Sequence, residues 1–509
     1  MKQKFLTKWL LCLTVAIAGV MSVALKASNG QEVNQEGDVL NALFFFDDWM
    51  LRTRDGLDRK QGKPILVKEI KLGTHPELSV IRGGRFYYDE CLDRYVMYVD
   101  CHHKDDRSRF TFRLETDDPY NWPMPQWASG SGPLWTRTKN PVVDQNGNPL
   151  CCYNVLCLAG TPLAEKGYFM NFYDFKVNSK SIGPVIAFSK DGLHFKVDTT
   201  THWIPHLSDT GNPPIYNPGT GQFMIFCRPE FIDRRVAQVT TTDLKKFSPV
   251  TIILQPDAED PVCREFYGLD PMLYDDIFVG VLQIYDTEPT ENTRTKMQGT
   301  NENQLAYSYN GKNWYRAFRQ AFLPRTEPGT PFGGCLYAGA PVRTPENRLL
   351  FCVMGSWGEH GSGGDLPGGY NPFMTYLYDM RLDGFSYLKT RARYGMIQTK
   401  TVISHGGELS MNVRTTPTGY VKVVVLDGTL NADTFGEALP NYTLEEAIPI
   451  TGDELFGKAH WRNRNNLDEL KGKSIMLQVH IREGELYAMR FQYKVGLGKR
   501  PGEEGYHHY

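Results

Sequence analysis

The feature that most constrains this chain is a unit that returns five times: an apolar strand, an Asp/Asn-Gly-type turn, then an aromatic residue. Ala187-Phe188-Ser189-Lys190-Asp191-Gly192-Leu193-His194-Phe195 matches Ala306-Tyr307-Ser308-Tyr309-Asn310-Gly311-Lys312-Asn313-Trp314. Thr240–Phe247 is a shortened version, and Leu114–Trp122 and Arg381–Phe385 fit more loosely. Such a turn needs positive φ, which Gly and Asn supply, and the aromatic can then pack on the neighbouring sheet. The units recur about every 50–75 residues, at roughly 75–127, 150–205, 207–255, 264–325 and 333–390. Self-similarity at that spacing predicts blades closed radially into a five-bladed β-propeller, with the first strand of each blade lining a central funnel.

Composition agrees with a large all-β chain. Aromatic residues are 12% of 509, with 48 Gly and 31 Pro, a mixture that favours short strands and turns over long helices. The formal net charge of -2 excludes a basic nucleic-acid scaffold, and 41% hydrophobic residues exclude an intrinsically disordered chain. No nucleic-acid or nucleotide motif is present. After about residue 395 the texture changes to alternating strands such as Tyr420–Asp427, Ser474–His480 and Leu486–Val495, which reads as a compact antiparallel β-sandwich.

At the N-terminus, Lys2, Lys4 and Lys8 precede an apolar run from Leu10 to Ala24 and small residues up to Ala27. This is the pattern of an export signal, and the run is short for a bilayer span. The expected organisation is therefore 1–27 signal peptide, 40–392 propeller, 395–496 sandwich and 497–509 flexible tail. The expected location is periplasmic or extracellular, with no membrane span once the signal is cleaved. Nine Cys remain after Cys12 leaves, at irregular spacing that shows no disulfide framework, although one or two bridges are compatible. Cys151, Cys152 and Cys157 lack a His at ligand spacing, so no metal site is expected. A structural calcium in the funnel has no clear ligand set, and no other cofactor is implied.

The arrangement of export signal, five blades and sandwich resembles the invertase-type glycoside hydrolases (glycoside hydrolase family 32-like). Gly419–Asp427, Leu470–His480 and Leu486–Phe491 resemble that family's sandwich strands, and the likeness spans about 40–495. The resemblance implies cleavage of a glycosidic bond in an oligo- or polysaccharide, with carbohydrate as the partner. The chain departs from the family's motifs: Phe46-Asp47-Asp48-Trp49-Met50 holds similar residues in another order, an Arg-Asp-Pro motif is missing, and Cys227-Arg228-Pro229-Glu230 stands for the acid motif. Sucrose or fructan cleavage is therefore not inherited.

Glycoside hydrolysis needs two carboxyl groups flanking the bond. In a propeller these project into the funnel from strand starts of different blades. Asp209 and Asp270, followed by short apolar runs, open the third and fourth blades; Glu77 opens the first, and Glu230 follows a strand of the third. The best division of roles makes Glu230 the general acid and Asp209 or Asp270 the base or nucleophile. Arg228, Arg234 and Arg235 could hold an anionic group of a sugar by their forked geometry. Trp357 and His360, in a glycine-rich loop, could wall the funnel, and Trp357 could stack on a sugar ring. Asp48 and Trp49 either close the ring or enter the funnel. Two other readings stay open: a glycoside phosphorylase, in which Arg228, Arg234, Arg235 and His360 hold phosphate, and a non-catalytic carbohydrate-binding propeller.

Overall fold

The computed structural model describes residues 39–105, 108–152, 154–172, 184–206, 208–230, 233–287, 298–361, 373–429 and 433–495. The expected signal, the tail, the end of the glycine-rich loop beyond Gly361 and most of the polar segment after Thr287 lie outside them. The described residues are built almost wholly of strands, with three short 3-10 turns.

Five antiparallel units follow one another, as the repeat predicts. Blade 1 is Leu78–Asp89, Arg94–His103 and Arg109–Thr116; blade 2 is Val155–Cys157, Tyr168–Phe172, Val185–Ser189 and His194–His202. Blade 3 runs Pro214–Asn217, Gln222–Cys227, Val236–Thr241 and Thr251–Leu254. Blade 4 is Arg264–Tyr274, Ile277–Asp286, Thr300–Ser308 and Tyr315–Arg316. Blade 5 takes Cys335–Ala338, Arg348–Ser356 and Phe373–Arg381, and its outer strand is Ile65–Glu69, from ahead of blade 1. The first and last parts of the propeller are thus sewn together in one blade.

Apolar packing closes the same ring. Leu350, Cys352 and Leu377 of blade 5 pack with Phe86, Met97 and Val99 of blade 1. Val96 and Tyr98 of blade 1 pack with Met170 and Ala187 of blade 2. Phe169 and Ile186 meet Phe223 and Ile225 of blade 3, and Met224 and Phe226 meet Phe278 and Trp314 of blade 4. Val281 and Leu305 meet Leu349 and Phe351 of blade 5. Each blade buries its faces only against its two neighbours, so the stability of the ring resides at the seams.

The recurring turn is a latch across these seams. Ser189 Oγ accepts from the backbone N–H of Asp191 and Gly192, and Asp191 Oδ1 accepts from Leu193 and His194. Ser308 with Asn310, and Thr241 with Asp243, repeat the same bonds. The outward carbonyls then accept from the preceding blade: Asp191 O from Arg113 Nη1 at 2.7 Å, Gly192 O from the Tyr98 hydroxyl at 3.0 Å, and Gly311 O from Gln238 Nε2 at 2.9 Å. Gly192 has φ +72°, and a Cβ there would lie 2.7 Å from Arg113 Nη1 and 2.9 Å from the Tyr98 hydroxyl. Glycine is required both by the backbone and by the close approach.

The C-terminal strands form one sheet that curls back on itself. The long strands Ser410–Asp427 and Ser474–Val495 pair along nearly their whole length. Val402 pairs with both Ile475 and Val495, near the two ends of the same strand. Leu40–Phe44, Leu51–Asp55 and Leu57–Gln61, which lie ahead of the first repeat unit but inside the expected propeller bounds of 40–392, pair into this sheet, as does Ser386–Thr390. Phe46-Asp47-Asp48-Trp49 follows the first of these strands. Asp47 accepts from the Tyr307 and Tyr309 hydroxyls at 2.7 and 2.9 Å, which ties the N-terminal segment to blade 4. The loose fifth turn, Arg381–Phe385, is a hub of the same seam. Asp383, 1% exposed, takes two 2.7 Å bonds from Arg490 and one of 2.6 Å from the Tyr274 hydroxyl.

Candidate functional site

The first strands of the blades line the channel side by side. Arg85 of blade 1 reaches Asp270 of blade 4 at 2.9 Å, beside Gly339 of blade 5, so these three blades meet at one level. Towards the ends of the inner strands, Arg85, Tyr87, Val155, Leu156, Ile215 and Tyr216 surround a cavity of about 210 Å³. Towards their starts, three residues back along Arg264–Tyr274 and hence about 10 Å away, Tyr267 is the centre of a different cluster.

Asp209 stands on the loop that leads into blade 3. The loop is tightly held: Asn212, at φ +45°, donates to the Ser208 and Thr210 carbonyls and accepts from the Ser208 hydroxyl. Asn154 of blade 2 donates to Gly211 O at 2.7 Å. Arg228, 3% exposed, donates to Asp209 through Nη1 at 2.5 Å and lays its guanidinium 4.8 Å from the Tyr267 ring centre. Its Nε and Nη2 are buried without a hydrogen-bond partner among the described residues. On the other side of Tyr267, Arg234 bonds Glu265 at 2.9 Å and stacks 4.4 Å from the Tyr285 ring centre. His360 pairs by backbone with Gly299, and its Nε2 lies 3.1 Å from the Tyr267 hydroxyl. Burial pushes the Tyr267 phenol above its ordinary value, with Arg228 opposing, so the ring stays neutral.

A second cluster lies beside it on blade 1, also three residues towards the strand start from Arg85. Asp100, 3% exposed, accepts from Arg82 at 2.8 Å, Arg109 at 3.0 Å and His102 Nε2 at 2.8 Å. Burial raises the Asp100 pKa, but Arg82, Arg109 and His102 outweigh it and hold the carboxyl well below the usual range. Burial lowers His102 despite its Asp100 partner, so the ring is neutral and donates Nε2–H. Tyr337 joins the two clusters, with its ring centre 5.7 Å from that of Tyr267.

The expected site residues therefore separate. Asp209, Arg228, Arg234 and His360 come together. Exposed Glu230 ends the segment that carries Arg228 and has no ion-pair partner among the described residues. Asp270 lies deeper, against Arg85, and burial raises its pKa while Arg85 lowers it. Glu77, exposed just before the inner strand of blade 1, is bonded to Arg137 at 2.6 Å. Arg235 pairs with Asp233, two residues before it in sequence. Trp357 is 38% exposed, just past the end of Arg348–Ser356. Asp48 and Trp49 are away from the funnel, Asp48 in a pair with Arg54 and Arg59 and Trp49 under Lys400. Sequence reasoning missed Glu265, Tyr267, Tyr285 and Tyr337. The alternation of Glu265 with Tyr267 along an inner strand is the signal that could have found the first two.

No family model and no curated protein matches the chain. Among solved structures it is similar to an N-acetylgalactosamine deacetylase from F. plautii, at 10% identity over 65% of this chain and 97% of that one, TM-score 0.40. It is similar to a fructofuranosidase from Schwanniomyces occidentalis, at 9% identity over 85% and 98%, TM-score 0.37. It is also similar to a glycoside hydrolase family 43 arabinoxylan arabinofuranohydrolase from Bacillus subtilis, at 8% identity over 84% and 99%, TM-score 0.35.

Proposed function

We propose that this protein is a glycoside hydrolase that cleaves an oligo- or polysaccharide at the mouth of the propeller formed by Asp209, Arg228, Arg234, Tyr267 and His360. The observation that carries the reading is that Arg228 bonds Asp209, on the loop into blade 3, and is followed two residues later by the exposed Glu230. One carboxylate is locked to Arg228, and the other has no ion-pair partner among the described residues. Two-carboxylate hydrolysis divides the work between a group that attacks or activates water and a group that gives a proton to the leaving oxygen. Asp209, bound to Arg228, is the base or nucleophile, and Glu230 is the general acid. Tyr267, Tyr285 and Tyr337 supply faces for a sugar ring, and Glu265, held by Arg234, accepts from sugar hydroxyls. The N-terminal pattern supports export, which would place the enzyme among extracellular or periplasmic glycans.

The test is a screen of the purified protein against aryl glycosides and polysaccharides, with and without phosphate. Asp209→Asn and Glu230→Gln are each expected to lower kcat by about 10²–10⁴ with the fold intact. Rescue of Glu230→Gln on substrates with an activated leaving group would identify it as the acid. Turnover that requires phosphate would establish the phosphorylase instead. Glycan binding without turnover in wild type would establish the binding propeller.

A further inference from the structure

At the opposite end of the channel from Asp209, three sulfur and oxygen donors meet. Asp89 ends the inner strand of blade 1, Cys91 follows in the turn, and Cys157 ends the inner strand of blade 2. Their ligand atoms lie within 4.8 Å of one another, with the two sulfurs 3.4 Å apart. Asp89 is 0% exposed and has no ion pair with Lys, Arg or His among the described residues. Its Oδ1 accepts from the Cys91 and Leu92 backbone and the Tyr168 hydroxyl, while its Oδ2 is buried without a hydrogen-bond partner among the described residues. A buried carboxylate oxygen with nothing to neutralise it is costly and calls for a cation.

We propose that Asp89, Cys91 and Cys157 form a binding site for a thiophilic divalent cation of the zinc type, with its fourth position open to the cavity that Cys157, Tyr87 and Glu90 help to line. Two zinc–sulfur bonds of about 2.3 Å in a tetrahedron set the sulfurs about 3.8 Å apart, so the 3.4 Å separation found here needs only a small adjustment. Oxygen and sulfur donors in this ratio select zinc over calcium or magnesium, which take oxygen alone. Binding is balanced simply: the two thiols give two protons to solvent, and two thiolates and one carboxylate hold the ion. Because both thiols must lose their protons to bind, affinity falls as pH drops. The site joins blade 1 to blade 2 at a point where the blades are otherwise held by the Tyr168–Asp89 bond.

The experiment uses the full chain, reduced and stripped of metal, titrated with Co²⁺ and then with Zn²⁺ against a chromophoric chelator. One equivalent of Co²⁺ with sulfur-to-metal charge-transfer and tetrahedral absorption bands is expected. Cys91→Ser, at an exposed turn position that leaves the core intact, is expected to weaken Zn²⁺ binding at least 100-fold and remove the charge-transfer band. Absence of binding by the folded, reduced wild type overturns the site, and so does binding that Cys91→Ser does not change. A Cys91–Cys157 disulfide in the isolated protein, found by mass spectrometry of unreduced peptides with no metal present, also overturns it. None of these readouts depends on glycan turnover.

Discussion

The Arg85–Asp270 pair is where a structural role and a catalytic role make different, measurable demands. Both side chains are mostly buried, at 21% and 12% exposure, and they are joined at 2.9 Å between blades 1 and 4. Asp270→Asn leaves the Arg85 guanidinium in the channel without its counter-charge, and Arg85 Nε already has no partner. Breaking a buried pair costs about 3–5 kcal/mol. The residual exposure of Arg85 lets water reach it and places the expected loss near 3 kcal/mol, or roughly 150-fold in the folding equilibrium. Arg85→Met with Asp270→Leu removes both charges and the desolvation each requires, so the double variant is expected within about 1.5 kcal/mol of wild type, a coupling of at least 2 kcal/mol. Urea unfolding followed by tryptophan fluorescence and circular dichroism measures wild type, Arg85→Met, Asp270→Leu and the double variant. Two near-neutral single variants, or additivity in the double, refute the buried-pair reasoning. Burial raises the native pKa of Asp270, so the native state binds the extra proton and the group's contribution to stability declines as pH rises from about 4 through that raised value. Asp270→Asn removes that decline. If Asp270→Asn instead keeps wild-type stability and loses about 10³-fold or more in kcat, Asp270 belongs to the catalytic set.

The remaining predictions test the ring and its acid sensitivity. Gly192→Ala forces a Cβ into a left-handed backbone and against Arg113 and Tyr98; it is expected to cost about 2–4 kcal/mol in urea unfolding, while Gly221→Ala, at similar φ with nothing within 4 Å, shows only the backbone part. Asp100 has a native pKa held below its unfolded value, so its contribution is present above about pH 4 and is lost as pH falls below that; Asp100→Asn is expected to lower stability at pH 7 by about 3–5 kcal/mol and to flatten the acid limb of a stability–pH curve. Leu350→Ala, at a fully buried position in the blade 5–blade 1 seam, is expected to cost about 2–5 kcal/mol. Lys68→Pro, in an edge strand whose five residues are all exposed, costs less, because only ladder bonds and one exposed bond from Lys68 Nζ to Asn121 are lost.

Much of the propeller was legible because its signals are local. Ser189-Lys190-Asp191-Gly192 and Ser308-Tyr309-Asn310-Gly311 specify their turns within four residues, and the same bonds recur in both. Thr241-Thr242-Asp243-Leu244 keeps the pattern with Leu244 at φ +55° in the glycine position, which is why it reads as a shortened copy. The N-terminal strands were not legible. Lys60 pairs with Tyr387 and Ile65 with Asp379, more than 300 residues along the chain, yet only three residues separate Gln61 from Ile65. Neighbours in sequence therefore enter different sheets, and no periodicity encodes a partner so far away.

The same contrast governs the site. Asp209, Arg228 and His360 lie at turns or strand ends, where a polar residue stands out against apolar runs. Tyr267 lies inside Arg264–Tyr274 and looks like core until the inner position of that strand is known. Its role as the plate between Arg228 and Arg234 follows from the ring, because each arginine arrives from blade 3 and the tyrosine from blade 4. Asp48 and Trp49, read as closing the ring or entering the funnel, stand in the segment that Asp47 ties to blade 4. They lie in the turn between Leu40–Phe44 and Leu51–Asp55, two strands of the C-terminal sheet. The thiol cluster obeys the same rule. Searching Cys151–Cys157 for metal spacing finds nothing, because the partners of Cys157 are Asp89 and Cys91, 66 or more residues earlier and one blade away. In a propeller the chemistry is assembled across seams. A residue's neighbours in the funnel sit at equal heights on successive inner strands, and the sequence spacing between them is set by blade length, with no bearing on the reaction.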